Sequence, residues 1–202
     1  MAIKRLVILA SGRGSNFAAI ADGVENEVIP NAKIVGLICN KPEAGAVKIA
    51  EERGIPAMVI PSKDVDKETY EGQLLAYLNF LHPDFICLAG YLKLLGPEIV
   101  RAFPGQILNI HPSLLPFFKG LRAQKQALEA GMHETGCTVH FVTEELDDGP
   151  IVLQNRLEIL PGDTEESLSE RLLPIEHETY VSALADLCSR PFRIQDSHVL
   201  FE

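Results

Sequence analysis

Residues 5–16 read Arg-Leu-Val-Ile-Leu-Ala-Ser-Gly-Arg-Gly-Ser-Asn. The run Arg5–Ala10 carries no apolar–polar alternation, so it reads as a strand covered on both faces, the kind found in parallel sheets. Ser11 to Gly14 breaks the run with turn residues. A helix opens at Ser15 or Asn16 and runs to about Asn26. A buried strand, a glycine turn and a helix form the first half of a βαβ unit, and that unit asks for a parallel sheet.

The same alternation recurs downstream. Lys33–Cys39 (KIVGLIC), Ala57–Ile60, Phe85–Ala89 (FICLA) and Gln106–Ile110 read as strands. Ala46–Arg53, Lys67–Leu81 and Pro97–Phe103 read as the intervening helices. In the second of these, Leu74, Leu75, Leu78 and Leu81 fall at helical spacing. After residue 110 the pattern changes. Arg122–Ala130 reads as a helix ended by Gly131. Cys137–Val142 and Ile151–Leu157 read as strands joined by a short connection, Glu144–Pro150, which suits antiparallel pairing. Thr164–Leu187 reads as a long helix with a break or a fresh start at Pro174. The expected fold is α/β, a Rossmann-like, mostly parallel twisted sheet flanked by helices, with an antiparallel C-terminal extension. One domain, 1–202, is expected, with a doubly wound part over 1–105 and a second part over 106–202.

The chain has 202 residues, 47% of them hydrophobic, and a formal net charge of −10. That balance disfavours nonspecific nucleic-acid binding, which needs a basic surface. No apolar run approaches membrane-spanning length, and the N-terminal run lacks a signal-peptide cleavage pattern. Cys39, Cys87, Cys137 and Cys188 have no CxxC spacing, so reduced, buried thiols are expected rather than disulfides or a zinc site. A cytoplasmic protein acting without nucleic acid or membrane follows from these readings.

Three motifs carry chemistry. In Ser11–Asn16 the glycines let the backbone approach a ligand, and the helix start offers free N–H groups to an anion. The spacing is neither GxGxxG nor GxxxxGK[ST], so a dinucleotide or nucleoside triphosphate is not the first expectation. A plain strand-to-helix turn accounts for the motif equally well. In Asn109-Ile110-His111-Pro112-Ser113-Leu114-Leu115-Pro116, Asn109 and His111 share one face of a strand that the prolines terminate. An amide beside an imidazole can polarise a carbonyl and move a proton. A polar strand end is the simpler alternative. Glu144-Glu145-Leu146-Asp147-Asp148-Gly149-Pro150 is an acidic turn, from which one carboxylate can reach the imidazole and raise its proton affinity.

Taken together, SGRGSN, AGYLKLL (Ala89–Leu95), NIHPSLLP, GCTVHFV (Gly136–Val142) and ELDDGP (Glu145–Pro150) resemble the phosphoribosylglycinamide formyltransferases, a branch of the folate-dependent formyltransferases. The likeness extends from the first strand through the last helix. NIHPSLLP with a downstream LDxG is specific for folate-dependent formyl transfer and hydrolysis, whereas SGRGSN separates the branches less sharply.

The resemblance implies a co-substrate, 10-formyltetrahydrofolate, and an acceptor, glycinamide ribonucleotide, with no metal. It assigns catalysis to Asn109, His111 and Asp147. It assigns the ribonucleotide phosphate to Gly14, Ser15 and Asn16, and the ribose to Glu176. The folate is assigned to Lys67, Leu92, Lys93, Leu94, Leu95, Asn109, Val142, Thr143, Glu144, Glu145, Leu146 and Asp147. The phosphate site then belongs to 1–105, and catalysis and folate binding to 106–202. A monomer or a homodimer is expected. Two departures stand out: Gln124 occupies a place where the family commonly has histidine, with Arg122 beside it as a replacement charge, and Leu173 occupies a polar place before Pro174. Formyltetrahydrofolate hydrolysis uses the same three residues, but those hydrolases usually carry an N-terminal regulatory domain. Methionyl-transfer-RNA formyltransferases carry a further C-terminal domain, and sugar-nucleotide formyltransferases are expected to lack SGRGSN. A noncatalytic folate- or phosphate-binding module is the alternative from another class.

Overall fold

A computed structural model describes residues 2–202; Met1, where the expected single domain begins, lies outside the described residues. Nine strands form one sheet in the order β3-β2-β1-β4-β5-β6-β7-β9-β8. They are β1 (Lys4–Ala10), β2 (Ala32–Cys39), β3 (Ala57–Val59), β4 (Phe85–Leu88), β5 (Ile107–His111), β6 (Glu134–Phe141), β7 (Ile151–Glu158), β8 (Phe192–Gln195) and β9 (His198–Phe201). The helices are α1 (Ser15–Glu25), α2 (Gly45–Glu52), α3 (Lys67–Leu81), α4 (Pro97–Ala102), α5 (Ala123–Glu129) and α6 (Glu165–Ser189). β1 to β5 pair in parallel, and β5-β6 and β6-β7 are antiparallel. This is the expected Rossmann-like sheet with its antiparallel extension.

β1 shows why its sequence is apolar throughout. Leu6, Ile8 and Ala10 point into one core with Phe17, Ile20, Tyr180 and Leu184. Val7 and Leu9 point into the other, with Leu74, Leu78, Ile99 and Phe103. Each of these strand residues is fully buried. Helices on both faces remove any reason for alternation. The four cysteines are free and buried.

The chain runs from β1 outward through β2 to β3, then returns to lay β4 against the other side of β1. The strand order therefore reverses between β1 and β4, and a crevice opens outside the carboxyl ends of those strands. Direct bonds join its walls. Ser11 N–H donates to the Gly90 carbonyl at 3.1 Å, and Leu92 N–H donates to Ser11 Oγ at 3.0 Å.

Two features differ from expectation. α6 runs unbroken through Pro174. Proline cannot supply its helical N–H, yet Leu172 below it and Tyr180 and Leu184 above it are fully buried in one core. Packing on both sides of the proline outweighs one lost hydrogen bond. The second feature is the terminal hairpin β8–β9, whose two-residue turn, Asp196-Ser197, has positive φ at both positions (49 and 58). That turn contains no glycine, and each strand has four residues, so neither composition nor periodicity announces it. β9 meets β7 in parallel through Ile151 and His198. Among the described residues no helix is long and apolar enough to cross a membrane.

Candidate active site

The loop between β1 and α1 is built by close packing. Gly14 has φ 82, and a Cβ there would lie 2.8 Å from the Ala46 Cα atom. L-residues with side chains avoid that conformation, and here the space is filled as well. Ala46 N–H donates to the Gly12 carbonyl at 3.2 Å, so the start of α2 buttresses the turn. Ser15 and Asn16 open α1 without a side-chain cap on its first N–H groups. Asn16 is buried, and its Nδ2 donates to Glu176 Oε2 at 3.3 Å. Its Oδ1 is buried with no partner among the described residues, an acceptor of the kind that a bound donor satisfies. Burial pushes the Glu176 carboxyl above its ordinary range, and the Asn16 bond opposes that shift. Thus α1 and α6 bring Gly14, Ser15, Asn16 and Glu176 together.

At the end of β5 lies a second cluster. Asn109 and His111 alternate with buried Ile110, as the strand requires. Asp147 adopts φ 48 in the turn after β6. Gly149 makes that turn possible, since a Cβ there would lie 1.8 Å from the Phe141 carbonyl oxygen. Asp147 Oδ2 accepts the Gly120 N–H at 2.8 Å and sits 3.4 Å from His111 Nδ1. His111 Nε2 lies 2.9 Å from the Phe118 carbonyl oxygen. A proton on each ring nitrogen therefore faces an oxygen. Both side chains are over nine-tenths buried, at 6% and 9% exposure, which strengthens their interaction. A substrate atom that takes His111 Nε2 must share or displace the Phe118 carbonyl.

The loop before α5 is held firmly for so irregular a segment. Thr138 Oγ1 donates to the Ser113 carbonyl at 2.7 Å and accepts the Leu115 N–H at 3.1 Å. Gln154 Nε2 bonds both Thr138 Oγ1 and the Leu115 carbonyl. The Leu115–Pro116 bond is cis. These contacts fix the segment that delivers Phe118 and Gly120 to the His111–Asp147 pair.

The residues expected to meet a folate lie in different surroundings. Leu92 and Leu94 are 71% and 75% exposed, and Leu146 is half exposed. Exposed leucines on the loops after β4 and β6 suit an apolar ring. Leu95 and Val142 pack against the core, and Thr143 Oγ1 donates to the Glu145 carbonyl. Lys93 lies over the Tyr70 ring, 4.4 Å from its centroid. The Tyr70 and Tyr91 hydroxyls bond each other, which secures the same loop to α3. Glu144 forms a two-point ion pair with Arg101 of α4, at 2.8 and 2.6 Å. That pair holds the Glu144 carboxyl below its ordinary range. Lys67 stands apart: it is exposed on α3, 3.7 Å from Glu71. Among the described residues no hydrogen bond or ion pair connects it to Asn109, His111 or Asp147. Arg122 is paired with Glu165 and is not a free charge.

Several participants carry no sequence signal of their own. Phe118 and Gly120 act through backbone atoms. Ser11 and Arg101 act through contacts across 81 and 43 positions. Only Gly120, in a segment stiffened by Pro116, hints at a functional turn.

The formyl transferase family matches residues 4–184 of the chain. The trifunctional purine biosynthetic protein adenosine-3 of Drosophila pseudoobscura pseudoobscura is 45% identical over 94% of this chain, which spans only 14% of that protein's length. The phosphoribosylglycinamide formyltransferase of Bacillus subtilis is 39% identical, over 92% of this chain and 95% of that one. The crystal structure of glycinamide ribonucleotide transformylase 1 from Symbiobacterium toebii superposes with a TM-score of 0.94 at 38% identity, covering 98% of this chain and 94% of the other. A formyltetrahydrofolate deformylase from Pseudomonas syringae superposes with a TM-score of 0.91 at 27% identity, over 98% of this chain and 65% of that one.

Proposed function

Since the chain belongs to the formyl transferase family, in its phosphoribosylglycinamide formyltransferase branch, we propose that it transfers a formyl group from 10-formyltetrahydrofolate to the amine of glycinamide ribonucleotide, a step of purine biosynthesis. The observation that supports this reading most is the buried His111–Asp147 pair, with Asn109 on the same strand face, beside the crevice between β1 and β4.

The amine attacks the formyl carbon, and the carbonyl oxygen gains negative charge. Asn109 Nδ2 and a protonated His111 stabilise that oxygen by hydrogen bonding in a site largely closed to water. Protonated His111 gives its proton to the departing folate nitrogen and, then neutral, takes up the proton lost by the attacking amine, so the proton count is unchanged over the cycle. Asp147 holds the imidazolium at Nδ1 and compensates its charge. Gly14, Ser15 and Asn16 receive the ribonucleotide phosphate on backbone N–H groups at the start of α1. Asn16 Oδ1 and Glu176 receive ribose hydroxyls. Leu92, Lys93, Leu94 and Leu95, with Val142 to Leu146, line the place of the folate ring, and the cations Lys67 and Lys93 suit its anionic tail. Alignment of two bound substrates supplies much of the acceleration.

An absorbance assay of 10-formyltetrahydrofolate turnover, with and without glycinamide ribonucleotide, tests the reading. Turnover should require the ribonucleotide. Equal turnover in its absence would identify hydrolysis, the activity named for the Pseudomonas syringae neighbour. His111→Ala should reduce kcat by about 10²–10⁴-fold, the usual size of an acid–base contribution. Near-normal kcat in that variant would remove His111 from the reaction.

A further inference from the structure

His140 faces Asn109 directly across the antiparallel β5–β6 ladder and is 1% exposed. Its Nδ1 lies 2.9 Å from the Phe141 carbonyl oxygen. A carbonyl only accepts, so Nδ1 carries the proton. Its Nε2 lies 3.3 Å from Asn109 Nδ2 and 3.7 Å from Asp147 Oδ1. In the neutral ring with Nδ1–H, Nε2 offers a lone pair alone. A lone pair suits the Asn109 amide N–H and has nothing to give the carboxylate.

Nδ2 of Asn109 has two hydrogens. One goes to His140, and the other remains for a reacting oxygen. Without that anchor the amide can turn and present Oδ1, which would repel a developing oxyanion. We propose that His140 is a positioning residue for the reaction: as the neutral Nδ1–H tautomer it accepts a hydrogen bond from Asn109 Nδ2 and holds the amide donor-first, whereas a doubly protonated ring releases Asn109 and competes with His111 for Asp147. This rests on the formyl-transfer reading given above.

The surroundings favour the neutral ring. Burial lowers the proton affinity of His140, and the Phe141 carbonyl and Asp147 work against that, while His111 and Lys119 add to the lowering. These are the charged groups facing it. Asp147 comes from the turn after β6, His111 from β5, and Lys119 from the loop before α5, where it is paired with Asp148. β7 presents only Ile151 opposite. His140 is therefore uncharged at neutral pH, and its second protonation falls on the acid side of the ordinary histidine value.

Steady-state kinetics on variants test the role. His140→Leu should lower kcat by roughly 10- to 100-fold, as when an oxyanion donor is misdirected, with KM for both substrates changed by less than about threefold. His140→Gln returns an acceptor and should recover most of that loss. Placed in an Asn109→Ala background, His140→Leu should cost less than about threefold more, because its partner is already gone. Additive losses, or a glutamine variant no better than leucine, overturn the proposal. Nitrogen-15 NMR of histidine-labelled, unliganded protein gives a readout independent of turnover. It should show His140 protonated at Nδ1 and bare at Nε2. The opposite tautomer overturns the positioning role and leaves formyl transfer standing. The expected tautomer in a protein without ribonucleotide-dependent turnover overturns the formyl-transfer reading, and the role with it.

Discussion

The crevice has two ends built from different material. At the end of β1 the proposed phosphate contacts are backbone N–H groups, in a turn whose Gly14 is too crowded to carry a side chain. At the end of β5 they are side chains, Asn109, His111, His140 and Asp147, drawn from two neighbouring strands and one loop. A backbone cradle depends on shape, so a single carbon atom can spoil it while pH barely touches it. A side-chain cluster depends on charge, so an isosteric exchange can stop it while the fold stays intact. The two ends should therefore fail in different kinetic parameters.

The largest expected effect is at the charged end. Asp147→Asn keeps the shape and removes the charge that, in the proposed reaction, compensates a His111 imidazolium. We expect kcat to fall by about 10²-fold or more, in the range of acid–base contributions. KM for the ribonucleotide should stay within about threefold, since Gly14, Ser15 and Asn16 are untouched. A full pH–rate profile checks this, and an unaltered profile would contradict a role for Asp147 in holding the imidazolium.

At the backbone end, Gly14→Ala sets the contrast. The left-handed conformation costs a side-chain-bearing residue about 1–2 kcal/mol. The contact with Ala46, at 2.8 and 2.9 Å, must also be relieved by moving the loop. We expect KM for the ribonucleotide to rise roughly 10-fold or more, about 1.4 kcal/mol of lost binding, with kcat reduced far less. The thermal midpoint should drop by about 2–4 °C per kcal/mol of strain. If kcat fell as steeply as in Asp147→Asn, the division between the two ends would be wrong.

These two ends were unequally legible in the sequence, for a physical reason. A sheet buried on both faces has to be apolar without alternation, so β1, β2 and β4 declared themselves. Helix spacing did the same for α3. The hairpin β8–β9 leaves no such trace, because four residues give too little periodicity and its turn contains no glycine. Pro174 misled because a local rule was overruled by packing around Leu172 and Tyr180. In the site, Asn109 and His111 can be placed on one face from strand geometry alone, yet nothing local says that Asp147 reaches His111. That depends on an antiparallel return through β6 and on φ 48 at Asp147 itself. Phe118 and Gly120 contribute backbone atoms, whose chemistry is the same in every sequence. Lys67, to which only the family resemblance points, lies on α3 against Glu71.

Glu176 lies between the two ends in character, a titrating group bonded to Asn16 at the start of α1. Burial raises its folded-state pKa above the ordinary 4.5. A raised folded pKa means the folded protein binds the proton more tightly than the unfolded chain. The resulting stability is fully present below pH 4.5 and is lost as pH rises through the folded value. At neutral pH the half-buried carboxylate therefore supports folding less than its protonated form does. Glu176→Gln should abolish that part of the pH dependence and leave the protein equally or more stable at pH 7 in denaturant unfolding. KM for the ribonucleotide should rise about 10-fold, the cost of a lost charged hydrogen bond. A variant less stable than wild type at pH 7 would show that the Asn16 bond outweighs the burial.

The smallest effect is expected where charge is exposed. Arg101 and Glu144 make a well-formed two-point pair, but both are open to solvent, at 65% and 45% side-chain exposure. Exposed pairs add little stability and are screened by salt. Arg101→Ala should therefore leave the thermal midpoint within about a degree and kcat near the wild-type value. What changes is the freedom of the turn that carries Thr143 to Asp147. KM for the formyl folate should rise roughly two- to fivefold at low ionic strength, and the difference should shrink toward 1 M salt as the pair is screened in the wild type too. A KM defect that persists undiminished at high salt would mean that Arg101 contacts the folate directly. The charged end of the crevice would then extend onto α4, beyond the residues that meet at β5.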